Sequence, residues 1–239
     1  MEGVLLILLV GYLAATISGA AGFGGALLLL PILSNVVGIK AAVPILTIGQ
    51  IFGNASRVWF GRGDLQWKPI LIFLLGAIPL TILGSYFFAD IDGELIKTGI
   101  GIYLILLVIY RRTAGKKITV GSRYLFVGGG LTGFLSGIAG SAGPLGAAFF
   151  LSLNLTATAY VASEAVTALT MHIVKTLIYN KFLLIGQREL YYGLLMSAAM
   201  ILGSWTGRRI IEKLSRKNFI VLVEILLILS AIQFLWPSC

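Results

Sequence analysis

Charge is what this sequence has least of. Only 11% of its residues are Asp, Glu, Lys or Arg, where a soluble domain carries roughly a quarter. With 58% hydrophobic residues in 239, that shortage excludes an ordinary soluble enzyme and points to an integral membrane protein. Cysteine occurs once, at Cys239, which excludes an intrachain disulfide. Histidine also occurs once, at His172. The apolar runs hold no carboxylate pair and no His/Cys cluster, so neither a metal nor a cofactor is expected. The formal charge of +9 does not form a nucleic-acid stripe. The basic residues gather in short loops between apolar runs, as cytoplasmic membrane loops do. The N-terminus, MEGVLLILLVGYL, has no basic leader and no small-residue cleavage site, and reads as a first membrane helix rather than a signal peptide.

A membrane span needs ~20 apolar residues. The apolar segments are 3–17, 25–37, 41–60, 69–89 and 94–111, then 124–140, 143–155, 158–179, 190–207 and 218–236. Each half has two segments around a glycine-rich break, followed by three full spans. At a constant offset of 118, Ser18 falls on Ser136, Gly19 on Gly137, Ala21 on Ala139, Gly22 on Gly140 and Gly25 on Gly143. Asn54 falls on His172 and Arg57 on Lys175, and Gly84-Ser85 matches Gly203-Ser204 after one inserted residue. The chain therefore reads as an internal duplication: residues 1–112 as membrane repeat 1, 113–123 as a cytoplasmic basic linker, and 124–239 as membrane repeat 2.

Loop charge sets the orientation. The turn after 69–89 carries Asp90, Asp92 and Glu94, while the matching turn after 190–207 carries Arg208, Arg209, Lys213, Arg216 and Lys217. Corresponding loops then lie on opposite sides of the membrane. With Arg111, Arg112, Lys116, Lys117, Arg123, Arg62 and Lys68, the cytoplasmic side holds twelve cations. Lys40, Lys97, Lys181 and Arg188 make four outside, and both termini come out extracytoplasmic. The expected fold is an all-α integral membrane protein of two inverted-topology repeats, a transporter design. Whether each broken pair crosses fully or dips in and returns is left open by periodicity.

A helix broken within a membrane leaves backbone N–H and C=O groups without partners, at several kcal/mol per group. Such breaks persist where protein or a watery cavity satisfies them. The segments restarting near Gly24 and Gly143 would point free N–H groups and a positive dipole end toward the break, where an anion is stabilised. Pro144 suits a first-turn position. The competing reading is close helix packing through small residues.

Polar residues inside spans are costly and are functional candidates by default. Gln50, Asn54 and Arg57 share one helical face, as do Glu164, Ala168, His172 and Lys175, flanked by Thr167 and Thr170. The candidate substrate-binding set is Gly22, Phe23, Gly24, Gly25, Gln50, Asn54, Arg57, Gly140, Ser141, Ala142, Gly143, His172 and Lys175. Arg57 and Lys175 either face an anion site or snorkel to the headgroups. His172, with an ordinary pKa of ~6.5, and Glu164 are the candidate proton carriers, although Glu164 also reads as an interfacial residue. An enzyme alternative, an intramembrane serine protease using Ser141 and His172, would need those side chains within hydrogen-bond reach beside an oxyanion hole. It gives no reason for the duplicated break.

The paired SGAAGFGGALLLLP and SGIAGSAGPLG breaks, the GIKAAVPILTIGQIFGNASRVW span and the SEAVTALTMHIVKTLIY span carry a resemblance. Over nearly its whole length the chain resembles the TauE/SafE family of sulfite and organosulfonate exporters. The resemblance implies a carrier in a prokaryotic cell membrane for sulfite, sulfoacetate or related anions, working by alternating access with or without ion coupling. The implied partners are a small anion and the lipid bilayer. Nucleic acid is not one, and a homodimer is left open.

Overall fold

The computed structural model describes residues 2–23, 25–92, 121–153 and 155–213, with isolated positions beyond them. The fifth segments, 94–111 and 218–236, fall mostly outside the described residues, as do Arg111, Arg112, the basic linker up to residue 120, and Gly24. The described residues are all helical, without strands: α1 (Glu2–Ala21), α2 (Gly25–Val37), α3 (Ile39–Phe60), α4 (Trp67–Asp90), α5 (Ser122–Ala139), α6 (Gly143–Leu151), α7 (Ala157–Lys181) and α8 (Gln187–Ile211), with a 3-10 turn at Arg62–Asp64. Among them, α4 and α7 are long and apolar enough to cross a membrane.

The first helix runs four residues further than its apolar segment, through Ser18-Gly19-Ala20-Ala21. These small residues tolerate a helix, and Gly19 is where α1 meets α8: a Cβ on it would lie 2.9 Å from the Ser204 carbonyl oxygen. The break comes at Gly22 (φ 81°) and, in the second half, at Gly140 (φ 73°). Both sit in left-handed backbone that glycine alone adopts without strain.

After each break the chain doubles back. The Gly25 amide donates to Ser18 Oγ at 2.9 Å, and Leu29 and Leu33 of α2 share a core cluster with Ile7 of α1. In the second half Phe149 of α6 covers Gly128 of α5, and Gly146 faces Thr132. Pro144 occupies the first turn of α6 as expected, but that helix has only 9 residues, shorter than its apolar segment.

The two halves interleave. Gly11 and Gly19 of α1 meet Met196 and Ser204 of α8, so those helices run side by side in one direction. Gly129 and Gly137 of α5 meet Phe73 and Ser85 of α4 in the same parallel sense. α3 also packs on α8, α7 on α4, and α3 on α7. The end of α3 meets the start of α7 at Gly61, whose added Cβ would strike Ala162, and just before α4 the Gln66 amide donates to Ser163 Oγ at 3.0 Å. Arg62 there stacks over Trp59, and Arg209 over Trp205 of α8. Outward faces are apolar, as at Leu71, Leu75 and Leu83 of α4.

Candidate functional site

The broken helices end on carbonyls with spare acceptor capacity, and a buried cation answers each; the Ser18 carbonyl also accepts from the Gly22 amide at 2.8 Å. Arg57 Nη1 donates to the Ser18 carbonyl at 3.1 Å and the Gly22 carbonyl at 2.9 Å. Lys175 Nζ donates to the Ser136 carbonyl at 3.4 Å, to Ser136 Oγ at 3.0 Å and to the Gly140 carbonyl at 2.6 Å. The sequence separations are 39 and 35 in both cases. A cation against the C-terminal carbonyls of a helix satisfies both the orphan acceptors and the negative dipole end. Arg57 is 6% exposed and Lys175 0%, so neither snorkels to a headgroup.

Each break is also pressed from the other half. A Cβ on Gly22 would meet the Tyr160 ring of α7, and one on Gly140 would meet Val43 of α3. Tyr160 Oη donates to the Ala21 carbonyl at 3.4 Å. The glycines therefore divide by task. Gly22 and Gly140 turn the chain, whereas Gly19, Gly25 and Gly137 allow close approach, which is the packing role.

Between the breaks lies a small internal cavity of about 20 Å³, room for about one water. It brings together most of the residues expected from sequence: Gly22 and Phe23 from the first break, Gln50, Asn54 and Arg57 from α3, Ser141, Ala142 and Gly143 from the second, and Glu164 and His172 from α7. Gly25, Gly140 and Lys175 stand behind its wall. Ser18, Ser136, Ala26 and Met171 also line it. The two serines could have been found from sequence by asking what satisfies each broken end, since they match at the offset of 118.

The polar groups differ in how free they are. Asn54 Oδ1 accepts a hydrogen bond from Arg57 Nη2. Its Nδ2 donates to the Gln50 carbonyl at 2.7 Å and to Gln50 Oε1 at 3.4 Å. Asn54 is thus fully engaged and positions its neighbours. Gln50 Nε2, His172 Nδ1 and Glu164 Oε2 are buried without a hydrogen bond. Glu164 Oε2 lies 3.8 Å from Arg57 Nη1 as an ion pair. At 3% exposure Glu164 is a cavity residue and not an interfacial one. At the start of α6, Pro144 has no N–H, and the Leu145 and Gly146 amides are taken by the Ala142 carbonyl. The Gly143 amide donates to Ser141 Oγ in a long hydrogen bond of 3.5 Å.

Ser141 and His172 share this cavity without a hydrogen bond between them, so the protease dyad is not formed. What the cavity offers is one cation on its wall with a second behind it, one carboxylate and two unengaged side-chain nitrogens, a set that suits an oxyanion.

Residues 7–234 match the family described as Sulfite exporter TauE/SafE. No curated protein and no solved structure matches the chain significantly.

Proposed function

The chain belongs to the sulfite exporter TauE/SafE family, a family of membrane transporters, and from that premise we propose that it carries sulfite, sulfoacetate or a related small organosulfonate across a prokaryotic inner membrane. The observation that carries this reading is the pair of breaks, each clamped by a buried cation at matching spacing, flanking one polar cavity. Gln50 Nε2 and His172 Nδ1 donate to the anion's oxygens. Arg57 and Lys175 supply field through the carbonyls they hold, and Asn54 fixes Arg57 and Gln50.

The parallel packing of α1 on α8 and of α4 on α5, with each half's opening helix on the other half's last described helix, supports two inverted repeats with re-entrant hairpins. The excess of cations at the meeting of α3, α4, α7 and α8 supports a cytoplasmic face there. A sulfite ion has four heavy atoms and exceeds a cavity of about 20 Å³. Loading therefore requires α3 and α7 to part, in keeping with alternating access.

His172 and Glu164 are the proposed proton carriers. The test is sulfite counterflow in proteoliposomes across a pH series. Wild type is expected to exchange labelled sulfite with a pH-dependent rate, flattened in His172→Gln or Glu164→Gln. Unchanged profiles in both variants would remove the coupling role, and no exchange in wild type would remove the transport reading.

A further inference from the structure

Arg57 borders a second cavity. On the side away from His172, a pocket of about 20 Å³ is bounded by Arg57, Gly61, Thr158, Ser204 and Arg208. Here the end of α3, the start of α7 and the end of α8 converge. Arg57 belongs to the walls of both cavities, so it stands between them. At the outer mouth the Arg208 side chain is 32% exposed, with its Nε held by Glu212 Oε1 at 2.8 Å. The first turn of α7, with Thr158, adds a positive dipole end, its Ala159 amide capped by Thr156 Oγ1.

We propose that this pocket is a second anion subsite, a vestibule that takes a sulfonate or sulfite-type oxyanion between Arg208 and Arg57 before it enters the central cavity. It rests on the transport reading for the identity of the anion, but not for its charge. Two arginines on one wall, Arg208 part-exposed and Arg57 buried, form a graded positive path. The nearest carboxylates are each tied to one of them, Glu212 to Arg208 and Glu164 to Arg57. An incoming anion exchanges with those carboxylates in turn. Arg57, which already holds two break carbonyls and Asn54, swings between the two cavities.

The test uses the whole chain. Replacing its single cysteine, Cys239→Ser, gives a background in which Thr158→Cys is the one thiol. Thr158 is half-buried in the vestibule wall. The purified protein is reacted with 2-sulfonatoethyl methanethiosulfonate and, separately, with its trimethylammonium analogue. Relative to a free thiol, the sulfonate reagent is expected to react faster by about tenfold, as focused positive potential raises local anion concentration. Arg208→Gln is expected to abolish that preference, and Arg208→Lys to keep it. Arg209→Gln, which alters a cation stacked on Trp205, is also expected to keep it. Isethionate, a sulfonate without a reactive thiol, is expected to slow the labelling.

The same ratio of rates as with a free thiol would overturn the proposal. So would an equal loss in Arg209→Gln, which would reduce the effect to surface charge, or a preference that isethionate does not compete. The transport reading fails separately, on counterflow: a charge preference with isethionate protection and no sulfite exchange would leave the subsite standing and remove the carrier.

Discussion

Lys175→Met is expected to lower the melting temperature of the purified protein by roughly 6–12 °C, at 2–4 °C per kcal/mol for a chain of this size. The argument is local. Methionine fills the space of the lysine stem but donates nothing, so the Ser136 and Gly140 carbonyls lose their donor inside the protein. Each orphaned buried acceptor costs about 1–3 kcal/mol, which makes about 3 kcal/mol in total. Sulfite binding is expected to vanish with the positive charge. A melting temperature within a degree or two of wild type would mean that the lysine does not hold the broken end, and the link between break and cation would fail. Thermal unfolding with and without sulfite reads both effects.

Gly22→Ala is the second large effect. A left-handed φ costs a Cβ-bearing residue about 1–2 kcal/mol. At Gly22 the added Cβ would also stand 2.3 Å from Tyr160 Cε1, so the ring must leave its seat. Overpacking of that kind adds about 1–3 kcal/mol. Gly140→Ala shares the backbone strain but meets only Val43 Cγ1, at 2.9 Å, and is expected to be milder. Gly63→Ala, with nothing within 4 Å of the new Cβ, is expected to be neutral. Equal stability of the Gly22 and Gly63 variants, by thermal unfolding, would contradict the assigned backbone.

Much of this was legible in the sequence, because the signals were periodic or duplicated. Hydrophobic runs placed α3, α4, α7 and α8 to within a few residues of their ends, and the offset of 118 paired Arg57 with Lys175 and Gly22 with Gly140. What the two cations do was not legible. A basic residue near a span end has the same pattern whether it snorkels, faces a ligand or caps a broken helix three dozen residues away. Only the fold shows that both cap. The exact break was misplaced for a related reason: Ser18 to Ala21 are small residues, which serve a turn and a tightly packed helix equally well.

Glu164 shows the limit of reading depth from span position. It stands eight residues into α7, close to the end by count. The start of that helix, however, is packed against the end of α3 and the 3-10 turn, so the carboxylate is already at the cavity. Asn54 shows another limit. Its polarity marked it as a ligand donor, yet its amide is consumed by Gln50 and Arg57, and the free donor is its neighbour Gln50.

The central claim is that the cavity between the two capped breaks binds a sulfur oxyanion, and anion-dependent thermal stabilisation tests it most directly. The purified protein is heated with sulfite, sulfoacetate, taurine, sulfate, phosphate and chloride in turn. A ligand that binds only the folded state stabilises by about 2.7 kcal/mol at a hundred times its Kd. Sulfite or sulfoacetate is expected to give such a shift, and His172→Ala or Gln50→Ala to abolish it. No shift with any anion well above millimolar concentration would contradict the claim and leave the two breaks as packing devices.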